Sequence, residues 1–563
     1  MSDTRYTIGL DFGTNTVRAL LVEVSSGREI ATSVHGYAHG EAGVVLDPAD
    51  PNLARQHPLD YLDGIRQTVR AVLKEAGAVP GFSPEQVIGI GVDTTGSTPL
   101  PVDADGQPLA AQPAFADSLP ALAWLWKDHT AHAEAEEITA LAAVMRPEYL
   151  AKCGGRYSSE WYWSKILHCA RVAPEIVEAA ATWVEIADWI PAVLTGTESP
   201  DEIKRCACAA GHKAFFNAAW GGYPDEEFLA ALDPRLAALR RTLPNVAATV
   251  AESAGGLSPR WAADLGLRPG IPVAIGAFDA HLGAVGCGIT PGALVKILGT
   301  SSCDMMVAKM DRDLPDIPGL CGIVPESILP GMYGLEAGQS AVGDIFNWFV
   351  NVIQPGGREA GSHEALTLGA SKLKPGETGL LALDWHNGNR TVLVDQRLTG
   401  LILGLTLHST PAEIYRALIE ATAFGARMIV ERFEEYGVTV DRIVNAGGIA
   451  AKNTLVMQIY ADVMNRPMQI SRSDQTCALG SAMAAAVVAG KAAGGFDSFD
   501  DAADAMTGIQ ERAFTPNADS AATYERLFRL YQKMHDALGI QGRTSDLSAV
   551  MKDLLQLRDE ARG

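Results

Sequence analysis

From Tyr6 to Val24 aliphatic and β-branched residues run into a turn at Asp11 to Asn15 and out again, and this pattern predicts a β-hairpin. Apolar positions at helical spacing from Pro58 to Ala76 predict a helix, which leads to VIGIGVDTTGSTPLPVD, a buried strand that breaks at Thr94 to Ser97. Helical stretches fill much of Ala131 to Ala181. IPVAIGAFDAHLGAVGCG then reads as a strand, a turn at Asp279 and a helix of small residues. The stretch Gly292 to Met310, GALVKILGTSSCDMMVAKM, repeats the opening pattern of strand, Gly-Thr turn and strand. A helix is expected from Pro411 to Glu435, and RIVNAGGIAAKNTLVMQIYADVMNRPM as strand, glycine turn and helix. An amphipathic helix is expected from Ala521 to Leu538, followed by polar, frayed final residues.

Strands alternating with helices imply an α/β architecture. The hairpin returns after about 290 residues, too long for a solenoid period, so the repeat marks two similar lobes with a boundary near Cys287 to Pro291. The expected division is residues 1–288, residues 289–500 and a helical extension over residues 501–563.

Composition narrows the function. Hydrophobic residues at 47% and charged residues at 20% are those of an ordinary globular protein. A net charge of -22, with Lys and Arg scattered, argues against nucleic acid and anionic membrane as partners. Ala478 to Gly490 is too short and too rich in Ala and Gly to span a bilayer, and MSDTRYTIGL has no charged segment followed by an apolar one, so no signal peptide is expected. The 8 Cys show no CxxC pair and no zinc-like spacing against His, which fits reduced thiols in a cytoplasmic protein. The Cys206–Cys208 pair is read as structural.

Two Gly-Thr turns at the heads of two lobes suit a nucleoside triphosphate gripped from both sides. In the first turn Gly13, Thr14, Asn15 and Thr16 face phosphate and Arg18 adds a cation. In the second, Gly299, Thr300 and Ser301 do the same. Asp11 would repel phosphate, but triphosphates travel with Mg²⁺, which needs only one or two carboxylates nearby. The alternative for Asp11 is an Asx turn closing the hairpin.

The motifs GLDFGTNTVRAL, GVDTTGSTP, LWKDHTA, GGRYSSEWYWSKILH, AGHK, GAFDAHLGAVG, KILGTSSCD, GLEAGQSAVGD, LDWHNGNRT and NAGGIAAKN, in this order, resemble those of the FGGY carbohydrate kinases. These belong to the actin, hexokinase and chaperone ATPase superfamily, and the resemblance covers Tyr6 to about Gly490. It implies two ribonuclease-H-like lobes around a cleft and phosphoryl transfer from ATP, with Mg²⁺, to the terminal hydroxyl of a ketopentose. Asp279 would be the base that takes the hydroxyl proton and would lie near the metal with Asp11. A carboxylate just beyond a strand end sits in a cleft rather than a core; the alternative is an N-cap of the helix from Ala280.

The resemblance further assigns Trp126, Lys127, Asp128, Lys213, Glu336 and, near the floor, Asp93 to the sugar. Gly447, Gly448 and Asn453 fall to the adenosine end of ATP. Many relatives carry W-x-D-x-R-T where this chain has His129 in place of Arg, which separates it from the xylulose and glycerol kinases. Core packing competes for Trp126, and a solvated pair for Lys127 and Asp128. The expected partners are the ketopentose, ATP and a second copy of the chain in a homodimer. Kinases for another pentulose or a pentitol, and a chaperone-like or actin-like ATPase, are the rival readings.

Overall fold

The structure is a computed structural model that describes residues 4–311, 314–357 and 361–563. The first hairpin forms as expected from Tyr6–Phe12 and Thr16–Glu23, and Arg28–Gly36 extends it. Val87–Thr94, buried at every position, joins Tyr6–Phe12 in parallel, and Pro272–Ala274 joins beyond it. A strand buried on both faces needs a continuous apolar run, which is why it lacks the polar alternation of a solvent-facing strand.

The second sheet repeats this plan. Ala293–Leu298 and Ser302–Lys309 form its hairpin, Met332–Ala337 extends it, and Arg442–Ala446 and Met468–Ile470 join in parallel. The repeat read in the sequence is therefore a repeat of sheet topology. Each sheet has its own core: Leu10, Val17 and Ile90 in the first, Leu294, Ile443 and Phe424 in the second.

Glycines in the paired strands Tyr6–Phe12 and Val87–Thr94 exist for a neighbour far along the chain. A Cβ on Gly9 would lie 1.8 Å from the Ala478 carbonyl oxygen, and one on Gly91 1.9 Å from that of Ser481. The small-residue helix Thr476–Ala489 lies directly on the first sheet, although it follows the last strand of the second. It also crosses the helix Asp279–Gly286, where a Cβ on Gly480 would meet the Leu282 oxygen at 1.8 Å. These two helices join the lobes.

Between the strands of the first lobe, a helical region packs around Trp124, Trp163 and Trp183. The helix Pro58–Ala76 has the predicted bounds, with Pro at its first position and His57 accepting from the Leu59 N–H. The frayed C-terminus does not occur: Val550–Arg562 is a helix whose Val550, Leu554 and Leu557 are buried in the second core. All 8 cysteines are free thiols. Among the described residues no helix is long and apolar enough to cross a membrane.

Candidate active site

Parallel strands bring carboxylates together at their C-terminal ends, the edge of an α/β sheet where ligands bind. Asp11 stands opposite Asp93 in the register, and Ala277 pairs with Asp93, so Asp279 emerges two residues later beside both. Burial raises all three, and repulsion from Asp11 adds to it for Asp93 and Asp279. Burial first, then the Asp11 charge, push Asp279 up to about 7, against the pull of the Ala280 N–H that its Oδ1 accepts at 2.6 Å. Burial also raises Asp11, which Arg18 opposes from 3.3 Å. Asp93 is fully buried and raised further, by burial and then by Asp11; its Oδ2 accepts from Ser481 at 2.6 Å, while its Oδ1 has no partner. An excess of hard oxygen donors with one orphaned buried oxygen fits a hard divalent cation such as Mg²⁺.

Above these acids a cavity of about 610 Å³ lies between the lobes. Thr14 and Trp126 enter it from the first lobe, Thr300 and Ser301 from the second, and Asp279 from the joining helix. Trp126 is half-buried, and its Nε1 donates to the Thr14 Oγ1 at 3.0 Å. The first turn is braced by Gln56, whose Nε2 donates to the Thr14 carbonyl at 2.7 Å. The second is braced from Val342 and Asp344, whose N–H groups donate to the Thr300 carbonyl at 2.8 and 3.1 Å. Both turns are held by residues the sequence did not single out.

Lys213 and Glu336 come from opposite lobes and meet in the cavity, the Lys213 Nζ lying 3.1 Å from each Glu336 oxygen. Burial would raise the Glu336 carboxyl, but Lys213, His212 and His281 outweigh it and hold it far below the carboxylate range. His212 Nδ1 lies 3.3 Å from Glu336, and its Nε2 2.9 Å from the Ser327 hydroxyl. Burial pushes His281 down to about 4. His212, His281 and Glu336 have the mutual spacing of metal ligands, but the Lys213 ammonium already stands against both carboxylate oxygens.

Other expected positions lie elsewhere. Asp128 does not reach the cavity, nor is it a solvated partner of Lys127. It is fully buried, pairs with Arg55, and accepts from the Ala54 N–H at 2.8 Å and the Thr130 hydroxyl at 2.6 Å. Lys127 is half-exposed and outside the cavity lining. Asn15 turns away, its Nδ2 donating to the Ala42 carbonyl at 2.6 Å, and Gly13 and Thr16 form the hairpin turn itself through a 2.9 Å backbone bond. Gly299 likewise closes its turn on Ser301.

Gly447, at φ 91°, starts the helix Gly448–Lys452 and sits against the end of Ala293–Leu298, where a Cβ would meet the Leu298 oxygen at 2.4 Å. This puts the NAGG turn beside the second Gly-Thr turn. Asn453 caps the next helix, its Oδ1 accepting from the Val456 N–H at 3.2 Å. The sequence reading missed Gln56, His212, His281 and Arg390; Gln56 had no signal, while the other three lie inside the motifs AGHK, GAFDAHLGAVG and LDWHNGNRT.

Residues 6–286 match the N-terminal domain of the FGGY family of carbohydrate kinases, and residues 294–489 its C-terminal domain. The ribulokinase of Shouchella clausii (strain KSM-K16) is 44% identical over 572 residues, covering 99% of this chain and 99% of the relative. That of Mycolicibacterium smegmatis is 42% identical over 550 residues, covering 95% and 94%. The crystal structure of xylulose kinase from Rhodospirillum rubrum superposes with a TM-score of 0.75 at 24% identity, over 95% of this chain and 99% of that one. Plasmodium falciparum glycerol kinase with ADP gives 0.75 at 16%, over 96% and 99%. The fold is thus the two-lobed α/β fold of the actin and hexokinase type.

Proposed function

The chain belongs to the FGGY family of carbohydrate kinases, and on that premise we propose that it phosphorylates L-ribulose at the 5-hydroxyl with ATP, giving L-ribulose 5-phosphate and ADP. The observation that supports the reading is one cavity between the lobes, lined by Thr14, Thr300 and Ser301 of the two Gly-Thr turns, by the Lys213–Glu336 pair and by Asp279. In this reading the turns hold phosphate, Lys213 and Glu336 hold the polyol, and Asp279 serves the transfer between them. A chaperone-like ATPase has no use for a polyol site.

The sugar hydroxyls pair with Lys213 and Glu336, whose shared ion pair keeps both charged inside the protein. The triphosphate lies along the two turns, with its adenosine end toward Gly447, Gly448 and Asn453 and its charge met in part by Arg18. Asp11, with Asp93 and Asp279 nearby, would hold Mg²⁺, which supplies charge neutralisation along the phosphates. Asp279 orients the 5-hydroxyl and accepts its proton late in the transfer. The new bond joins the sugar oxygen to the γ-phosphorus, the bond from that phosphorus to the β–γ bridging oxygen breaks, and ADP leaves with its electron pair. A carboxyl near pH 7 suits proton acceptance at neutral pH.

The two domain assignments and the extension over residues 501–563 belong to the same reading, as do a homodimer, a cytoplasmic setting and a place in L-arabinose catabolism. A coupled ADP-release screen across ketopentoses and pentitols, with the phosphate position mapped by NMR, tests it. L-ribulose should give the highest kcat/KM with phosphate on O5. A pentitol or xylulose preferred over L-ribulose would move the chain to the rival kinase reading, and no acceptor at all would reject both.

A further inference from the structure

One half-buried cation has no task in this scheme. Arg390 lines the cavity from the loop after strand Leu381–Leu383, on the side that carries the second phosphate turn. Its Nη2 donates to the Ser302 carbonyl at 2.6 Å and lies 3.6 Å from the Cys303 sulfur, so the guanidinium stands against the residues that follow Thr300 and Ser301. The loop holding it is braced by hydrogen bonds. Asn389 and Asp395 exchange backbone bonds at 2.9 Å, the Asn389 side chain accepts from Val392 and Leu393, and the Thr391 hydroxyl accepts from the Gly338 N–H at 3.1 Å. A Cβ on Gly338 would lie 2.2 Å from the Arg390 Nη2, so the strand bearing Glu336 keeps a glycine where the arginine passes.

What the guanidinium lacks is an anion. Among the described residues no carboxylate stands within 4.0 Å of it, and its Nε is buried without a partner. Burial alone would lower its pKa, but the charges around it, those of Glu336 and Glu160 among them, hold it above the ordinary value, so it stays charged. A half-buried arginine with no carboxylate in contact leaves its free guanidinium edge available to an arriving anion. In this cavity the arriving anion is the group in transit between Thr300 and the sugar.

We propose that Arg390 is a catalytic residue for phosphoryl transfer: its free guanidinium edge binds the equatorial oxygens of the γ-phosphoryl group as it passes to the acceptor hydroxyl. The group in flight spreads charge over those oxygens, and a planar fork of N–H donors matches them. The inference rests on the kinase reading above, and adds to it the cation that Lys213, paired with Glu336, does not supply.

The test compares wild type with Arg390→Ala, Arg390→Gln and Arg390→Lys. We expect kcat to fall at least about 100-fold in the first two and about 10-fold in Arg390→Lys, with dissociation constants for the ATP analogue and sugar within about 3-fold of wild type. Free guanidinium should restore Arg390→Ala at least about 10-fold, and ADP with tetrafluoroaluminate should bind tightly to wild type only. If Arg390→Ala does not fold, Arg390→Lys and Arg390→Gln carry the test. Unchanged kcat in a folded variant, or loss of ATP-analogue affinity with no loss of saturated turnover, would overturn the proposal. If wild type phosphorylates no sugar, the functional reading fails, while the fluoroaluminate comparison still decides Arg390.

Discussion

Asp279 sits where three strand ends converge, and its position rather than its residue type suits it to the proposed role of base. Asp279→Asn keeps the side-chain oxygen that accepts from Ala280 but cannot take a proton, so turnover should fall by about 100- to 10,000-fold with ATP affinity nearly unchanged. Calorimetry showing ATP binding lost together with turnover would contradict the role. His281 makes a prediction of a different kind. Burial, aided by Lys213 and opposed by Glu336, lowers it from 6.5 to about 4, so between those values the unfolded chain binds a proton that the folded chain refuses. Stability therefore falls as pH drops through that window, by roughly 2–3 kcal/mol at pH 4.5 for this residue alone. His281→Gln should flatten the fall in denaturant melts, and an identical slope would show the histidine is not held neutral. Residues were legible where chemistry is local: Asp11, Asp279 and the Gly-Thr turns each announce themselves within a few positions. Asp128 was misplaced because the resemblance carried it to the sugar with its neighbours in LWKDHT, while its partner, Arg55, arrives from the distant strand Asp50–Gln56.

At the scale of elements, the close seat of Thr476–Ala489 on the first sheet is the feature most exposed to a single methyl group. Gly91→Ala would place a carbon 1.9 Å from the Ser481 oxygen, forcing strand and helix apart at a cost of about 1–3 kcal/mol or more. Ser481 also donates to Asp93, so the same shift should lower kcat. Gly36→Ala, in the edge strand with open space around it, should leave both melting and turnover near wild type. Equal behaviour of the two variants would refute the close-packing account. The helix Pro58–Ala76 and both hairpins could be read from periodicity because each carries a full apolar face of its own. Val550–Arg562 could not, since its short apolar stripe gains meaning only against the second core. Nor could the cross-strand Lys296–Asp304 pair, whose charges at 2.6 Å neutralise each other inside the second sheet.

At the scale of the molecule, two lobes share a cavity and are joined through Asp279–Gly286 and Thr476–Ala489. Lys213 and Glu336 bridge the lobes directly, so the lobes must part at this pair to admit sugar and close again around it, which excludes water from the γ-phosphate. Small-angle scattering should show a smaller radius of gyration with L-ribulose and a non-hydrolysable ATP analogue together than without ligand; no compaction at saturation would count against closure. The duplicated topology was legible because the hairpin repeats in sequence, whereas the crossing of Thr476–Ala489 onto the first sheet was not, because nothing local marks which sheet a small-residue helix will cover. The central claim is that one cavity holds a sugar half and a phosphate half, and binding calorimetry with both ligands on Lys213→Ala, Glu336→Ala, Thr14→Ala and Thr300→Ala tests it most directly. Truncating a group that pairs with a buried hydroxyl or phosphate costs about 1–3 kcal/mol, or one to two decades of affinity. The first two variants should lose that affinity for L-ribulose and keep ATP-analogue binding, and the last two should do the reverse; wild-type L-ribulose affinity in both Lys213→Ala and Glu336→Ala would contradict the account.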